Sequence, residues 1–342
     1  MAKKMKKALV TARIFGYVSD QSFDIFKKHN IEVVPNPYKG KRLSEDELIS
    51  LIRGVDGLLT GVDEVTSKVI NAADKLKVIS KFGTGVDNID VTAATKNGII
   101  VTNAPGMNSD AVADMAFALM FSAARKIPFA FDQVRQEKWP LIVSTEVYKK
   151  TLGLIGLGEI GKCVAKRASG FDMEVLAFEK IPDEKFTRDN KIKLVPLKQL
   201  LQASDFISIH VPLTDETLNL IGETELEMMK PNAVLINTSR GGIVDEDALY
   251  NGLRSGKPAM AAFDVLKEEP PRERRLMELD NFIITPHISP FTKEAIENAE
   301  RLSAQNLIDV LNCRYPTNII NPEALKQTDF KRRNLWNING EF

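Results

Sequence analysis

Leu152-Gly-Leu-Ile-Gly-Leu-Gly-Glu-Ile-Gly161 decides the reading of this chain, because an apolar run passes directly into the pattern G-x-G-x-x-G. In that pattern Gly156 suits a tight strand-to-helix turn, Gly158 lets backbone approach a pyrophosphate, and Gly161 lets the new helix lie close on its strand. The helix start, Glu159 and Ile160 included, offers free N–H groups and partial positive charge to phosphates. Met173-Glu-Val-Leu-Ala-Phe-Glu179 then reads as a second strand, and its terminal acid stands 18 positions after Gly161. An acid so placed accepts hydrogen bonds from an adenosine ribose and repels a 2′-phosphate. The expected cofactor is therefore NAD rather than NADP, with Lys180 and Arg188 nearby to soften the preference. The plainer alternative is a glycine-rich turn in some other α/β protein. Strand, helix, second strand and acid in the right order weigh against it.

Outward from this segment, strand-like runs alternate with helical patterns: Ala8–Thr11, Gly57–Gly61, Val78–Lys81 and Ile99–Thr102 before the glycine loop, then Thr151–Ile155, Glu174–Phe178, Phe206–His210, Ala233–Asn237, Ala259–Phe263 and Phe282–Thr285. This is the signature of parallel βαβ units. It predicts an α/β protein of two Rossmann-like domains, each a doubly wound parallel sheet, with a cleft between them. Ala111-Val-Ala-Asp-Met-Ala-Phe-Ala-Leu-Met-Phe121, in a helix starting near Ser109, is apolar nearly all round, as expected of a helix buried between domains. A helix from Lys293 to about Leu311 follows the last strand. If it returns the chain, a discontinuous substrate domain comprises 1–102 plus 291–342, and 103–290 binds the cofactor. The polar tail from Lys326, with Trp336, is a flexible end or an arm over a partner subunit.

The 342 residues fit two domains, and 44% hydrophobic content is enough for substantial cores. Lys plus Arg equals Asp plus Glu at 46 each, so no overall field draws the chain to nucleic acid or an anionic membrane. The basic start Met1-Ala-Lys-Lys-Met-Lys-Lys7 leads into a strand rather than a signal core, and no run is long enough to span a membrane. The expected location is cytoplasmic. Cys163 and Cys313 match no metal or disulfide spacing, and no metal is expected.

Three histidines occur. His29, in Phe26-Lys-Lys-His-Asn30, reads as a solvated or capping residue. His210 ends a strand in Ser208-Ile-His-Val-Pro-Leu-Thr214, at the carboxyl edge where doubly wound sheets bind ligands. His287 also follows a strand, in Ile284-Thr-Pro-His-Ile-Ser289. Each of these two is either a proton donor or a structural histidine. On the same footing Arg240 reads as a structural ion-pair partner or a ligand cation, and Glu269, in Lys267-Glu-Glu269, as a solvated loop acid or a functional one.

From about Val78 to Leu311 the chain resembles the D-isomer-specific 2-hydroxyacid dehydrogenases. The matching motifs are Gly83-Thr-Gly-Val-Asp-Asn-Ile-Asp90, the glycine loop, His210-Val-Pro-Leu-Thr214, Asn237-Thr-Ser-Arg-Gly-Gly-Ile-Val-Asp-Glu246, Ala262-Phe-Asp-Val265 with Glu269-Pro270, and Pro286-His-Ile288. The resemblance implies that His287 is the acid/base, Glu269 its carboxylate partner and Arg240 the substrate-binding cation. The chemistry makes sense of each. Hydride transfer to a 2-keto acid creates an alkoxide, which a protonated imidazole neutralises; the reverse reaction needs the imidazole neutral. A neighbouring carboxylate stabilises the charged ring and fixes its orientation. An arginine fork holds a carboxylate and polarises the adjacent carbonyl. The resemblance also implies that Gly83, Thr84 and Gly85 present backbone N–H groups to the substrate carboxylate. By the same resemblance Asp264 bonds the nicotinamide carboxamide, Thr238 and His210 lie along the cofactor, and a homodimer forms through the cofactor domains. Asn108 matches an asparagine of phosphoglycerate dehydrogenases and equally suits an ordinary N-cap.

Within the family the chain is most similar to those enzymes, which makes D-3-phosphoglycerate the leading substrate. One departure bears on this: Thr60-Gly-Val-Asp63 stands where they commonly carry an arginine that helps bind the phosphate. Either another cation such as Lys81 replaces it, or the substrate is an unphosphorylated acid such as glyoxylate or hydroxypyruvate. The first 75 residues carry the least specific resemblance, and a C-terminal regulatory domain is not expected. Two other classes are weighed. An NAD-sensing, corepressor-like partner protein is disfavoured by the intact Arg240, Glu269 and His287 set, and a formate-oxidising relative by Glu269 where a glutamine is usual.

Overall fold

The computed structural model describes residues 5–38 and 40–327, so the first four residues and the tail beyond Gln327, Trp336 included, lie outside the described residues. The chain forms two compact units, Met1–Asn108 with Thr292–Phe342, and Ser109–Phe291.

Unit 1 is a parallel sheet of β1 (Lys6–Val10), β2 (Ile31–Val34), β3 (Gly57–Thr60), β4 (Val78–Lys81) and β5 (Ile100–Thr102), in the order β2-β1-β3-β4-β5. Successive strand residues face opposite helix layers. Leu9, Leu58, Ile79 and Val101 join one core with Leu48, Ile52 and Val69. Ala8, Val10, Leu59, Val78 and Ile100 join the other with Ala304, Leu307, Ile308 and Leu311. The second core exists because the helix Lys293–Leu311 returns to this unit. Buried polar groups fix its register: Ser80 donates to the Ser303 carbonyl (2.8 Å), the Asn306 amide to the Asn103 carbonyl (3.0 Å), and the Val101 N–H to Asn321 (2.7 Å).

Unit 2 is a parallel sheet of β6 (Thr151–Ile155), β7 (Glu174–Phe178), β8 (Lys193–Leu194), β9 (Phe206–Ile209), β10 (Val234–Asn237), β11 (Met260–Phe263) and β12 (Phe282–Ile284), in the order β12-β11-β10-β9-β6-β7-β8. The order runs outward in both directions from the β6/β9 pair, the doubly wound arrangement that opens a ligand crevice at that reversal. Nearly every residue of β6, β9, β10 and β11 is buried, as a parallel sheet covered on both faces requires. The helix Ser109–Ala124 supplies Ala113, Ala116, Phe117 and Met120 to this unit's core, with the Phe117 and Phe171 ring centroids 5.6 Å apart.

All ten expected strands form, and two more exist. Ile31–Val34 lies at the edge of its sheet with only one buried residue, and Lys193–Leu194 is a two-residue exposed edge. Neither has the continuous apolar run that marks a covered strand. The first compact unit runs to Asn108, a few residues beyond β5, for a local reason. Asn103 donates to the Thr84 carbonyl (2.8 Å) and the Ala104 N–H to the Gly83 carbonyl (2.8 Å), which holds this segment to unit 1. No helix among the described residues is long and apolar enough to cross a membrane, and no cluster there is placed to hold a metal.

Candidate active site

The glycine turn leaves β6 at the crevice of unit 2, and each glycine meets a different constraint. Gly156 has φ +97°, and a Cβ on it would lie 2.7 Å from the His210 carbonyl oxygen. A Cβ on Gly161 would lie 2.3 Å from the Gly156 carbonyl oxygen, so the helix Glu159–Ser169 packs against its own turn. Nothing lies within 4 Å of a Cβ built on Gly158, which leaves the backbone open to a ligand. The N–H groups of Glu159 and Ile160 belong to the first helical turn, where helix geometry provides no acceptor. Glu179, beyond β7, accepts the Leu157 N–H (2.7 Å) and the Ile181 N–H (3.1 Å), so its carboxylate stands against the glycine turn.

On the neighbouring strands two buried polar atoms have no protein partner: Nδ1 of His210, after β9, and Oγ1 of Thr238, after β10. The other ring nitrogen of His210 bonds Ser208 (2.9 Å), and burial pulls its pKa down to about 4. The ring is therefore neutral at physiological pH, which suits packing or hydrogen bonding rather than proton donation. Orphaned polar atoms beside an open glycine turn fit a bound dinucleotide, since a buried group left unpaired is costly.

Three further loops, from β10, β11 and β12, converge on the second histidine. Asn237 shapes the first: its side chain donates to the Arg240 carbonyl (2.9 Å) and accepts the Ser239 N–H (3.0 Å). Gly241 lets that loop lie against the next, since a Cβ there would fall 2.0 Å from the Leu266 carbonyl carbon. Glu269 accepts the Leu266 N–H (3.1 Å) with one oxygen and meets Nδ1 of His287 with the other (2.7 Å). Partial burial works to raise the pKa of Glu269, but the bond and charge of His287, the Leu266 N–H and the charge of Arg240 outweigh it and hold the carboxyl below its ordinary value. A carboxylate on Nδ1 leaves Nε2 as the ring nitrogen available to a ligand.

His287 itself has φ +54°, left-handed backbone that is uncommon for any residue other than glycine. Asp264 maintains it. This carboxylate is only 1% exposed, and it accepts the Thr285 hydroxyl (2.5 Å) and the N–H groups of Ile288 (2.9 Å) and Ser289 (2.8 Å), while its backbone carbonyl accepts the His287 N–H (3.0 Å). Asp264 thus grips the histidine loop on both sides of the ring. Asn237, Thr285 and Asp264 act here as positioning residues. Asn237 and Asp264 stand in motifs already noted in the sequence, whereas the only signal of Thr285 is a polar side chain at the end of an apolar strand.

In unit 1, Gly83 has φ +121° and follows β4. The carbonyls of Gly83 and Thr84 accept bonds from Ala104 and Asn103, whereas the N–H groups of Gly83, Thr84 and Gly85 find no acceptor among the described residues. Lys81 has an internal role: its ammonium binds the Gly61 carbonyl and Asn88 (2.8 Å). Thr60 is wholly buried and donates to Asp63 (3.2 Å), which also accepts the Leu43 N–H (2.8 Å). Asn108 is half-buried directly before the helix Ser109–Ala124, and no bond of its side chain is found among the described residues.

Comparison with known proteins finds clear similarity. The family model described as D-isomer specific 2-hydroxyacid dehydrogenase, NAD binding domain, matches residues 117–289. A glyoxylate reductase of Korarchaeum cryptofilum is 40% identical over 83% of this chain and 88% of its own. A D-3-phosphoglycerate dehydrogenase of Archaeoglobus fulgidus is 39% identical over 92% of this chain and 60% of its own. The crystal structure of the TT0316 protein of Thermus thermophilus superposes with a TM-score of 0.85 at 34% identity, covering 92% of this chain and 99% of that one.

Proposed function

Because the chain belongs to the D-isomer-specific 2-hydroxyacid dehydrogenases and is an NAD-dependent oxidoreductase of that family, we propose that His287, Glu269 and Arg240 carry its chemistry. Bound NADH supplies the hydride to the carbonyl carbon of a 2-keto acid. His287 delivers a proton from Nε2 to the carbonyl oxygen while Glu269 holds Nδ1 and balances the charge on the ring. In the reverse direction the neutral ring takes the hydroxyl proton. Arg240 binds the carboxylate and polarises the carbonyl, and the free N–H groups of Gly83, Thr84 and Gly85 suit the same anionic end of the substrate. Gly156, Gly158, Glu159, Ile160 and Gly161 cradle the pyrophosphate, Glu179 the ribose, and His210, Thr238 and Asp264 line the cofactor side.

The observation that carries this reading is the 2.7 Å contact between His287 and a Glu269 carboxylate that is itself anchored. D-3-phosphoglycerate is the leading substrate, supported by relatives such as the A. fulgidus enzyme; glyoxylate or hydroxypyruvate is the alternative, supported by relatives such as the K. cryptofilum enzyme. The test is NADH oxidation against 3-phosphohydroxypyruvate, hydroxypyruvate and glyoxylate, repeated with NADPH and with His287→Gln. Turnover of one acid with NADH, lost in the variant while NADH still binds, is the expected result. A variant with wild-type rates removes His287 from the chemistry, and a preference for NADPH removes Glu179 from its role.

The same proposal includes a homodimer. The helix Ile127–Arg135 buries none of its residues, and Phe131, Val134, Trp139, Leu141 and Val143 are exposed along it and the segment that follows. An apolar stripe of that kind on a folded unit is the usual mark of a protein interface.

A further inference from the structure

Unit 1 has its own strand reversal, between β1 and β3, and open parallel sheets bind ligands outside the carboxyl ends of the strands at such a point. Thr11, Ala12 and Arg13 leave β1 there. The Thr11 N–H bonds the Leu59 carbonyl (2.8 Å), and a Cβ on Gly61, which leaves β3, would lie 3.3 Å from the Ala12 Cα. The two loops therefore press together at their roots, and Arg13 emerges where they part. Two observations mark this as a ligand position. Thr11 is 2% exposed and its hydroxyl has no partner. Arg13 is exposed and makes no ion pair or hydrogen bond among the described residues.

The other described cations in loops leaving this edge differ. Lys81 is tied to Gly61 and Asn88, Lys41 to Glu47 (2.6 Å), and Arg42 to Glu64 (2.5 Å). With Thr60 buried on Asp63, the position that Lys81 was expected to fill has one open candidate among the described residues, Arg13, in the loop that leaves the adjacent strand.

We infer that Arg13 is a specificity-determining residue, whose guanidinium binds an anionic group on carbon 3 of the 2-keto acid, a phosphate ester or a second carboxylate. The planar fork offers paired N–H donors to either group, and the buried Thr11 hydroxyl, which has no partner among the described residues, stands two residues before it. The inference rests on the dehydrogenase reading above and names the class of substrate that reading leaves open.

The test measures kcat/KM with NADH for 3-phosphohydroxypyruvate, oxaloacetate and hydroxypyruvate in the wild type, Arg13→Met and Arg13→Lys. The wild type should prefer one anionic acid over hydroxypyruvate, and which one distinguishes phosphate from carboxylate. In Arg13→Met that preference should fall by about 100-fold, as expected for a lost charge-assisted pair, mainly through KM, with Arg13→Lys in between. A preference unchanged in Arg13→Met, or a wild type that favours neither anionic acid, overturns the inference while leaving the dehydrogenase intact. Silence of the wild type with every acid overturns the dehydrogenase reading and this one with it.

Discussion

Replacing Asp264 by asparagine keeps shape and volume but removes one acceptor oxygen and all of the charge. The buried carboxylate serves the Thr285 hydroxyl and two backbone N–H groups. An asparagine side chain can keep its oxygen on Thr285 and Ile288, but its NH₂ then faces the N–H of Ser289, itself buried. A hydrogen bond to a charged group contributes about 1.5–3 kcal/mol, and a buried N–H left unpaired costs about 1–3 kcal/mol. The loop thus loses roughly 3–5 kcal/mol, against a left-handed backbone at His287 that already costs on the order of 1–2 kcal/mol. If about 3 kcal/mol of this falls on the balance between gripped and relaxed loop, the aligned histidine becomes about 100-fold rarer. The assay is kcat for the preferred acid beside the NADH dissociation constant from fluorescence titration. The expected result is a kcat about 100-fold lower, with NADH affinity within a few-fold of wild type. The opposite split, with kcat preserved at saturating cofactor and NADH binding weakened by a similar factor, refutes the reasoning and gives Asp264 to the nicotinamide, as the family resemblance implies.

Gly161→Ala should lower stability by about 1–3 kcal/mol, because its Cβ meets a backbone carbonyl at 2.3 Å. Gly158→Ala, with nothing within 4 Å, should leave the thermal melt nearly unchanged yet weaken NADH binding about 10-fold or more; the reverse pattern would misassign both glycines. His210 titrates near 4 folded and near 6.5 unfolded, so the unfolded chain binds the extra proton and stability falls as pH drops through that window. Relative to His210→Gln, the wild type should lose up to roughly 3 kcal/mol between pH 7 and pH 4 in urea melts; a constant difference would mean the ring is not desolvated. Phe131→Asp with Trp139→Asp should yield a monomer by sedimentation if the exposed stripe joins two copies, and an unchanged mass removes that surface from the interface.

The features legible in the sequence are those whose cause is local. The glycine turn could be read because the left-handed backbone of Gly156 and the approach of Gly161 to the Gly156 carbonyl are local to the turn, and the ten covered strands because burial on both faces demands apolar runs. The three side chains proposed for the chemistry became legible through resemblance, since on residue type alone Glu269 and Arg240 read equally well as surface charges. What stayed hidden depends on distant partners. The edge strand Ile31–Val34 is held by pairing to β1 rather than by its own pattern. Asn103 belongs to unit 1 because Thr84 and Asn306 reach it. Lys81, an unremarkable lysine at a strand end, proves to be a clasp for Gly61 and Asn88.

Lys81 and Arg13 together show why a missing motif is weak ground for excluding a substrate. An anion site needs positive charge at a crevice, and the crevice is set by strand order rather than by any one loop. Every strand ending there contributes a loop whose first residues stand at the mouth. A cation lost after β3 can therefore be replaced from β1, 47 positions earlier in the chain at Arg13, without leaving the site. Lysine at position 81 cannot make the substitution, because moving its ammonium would strip the Gly61 carbonyl and the Asn88 side chain of a partner in a part-buried setting. An exposed arginine with no competing partner among the described residues surrenders nothing when an anion arrives. Availability, more than proximity in sequence to the vacant position, is what makes a charge able to serve a ligand.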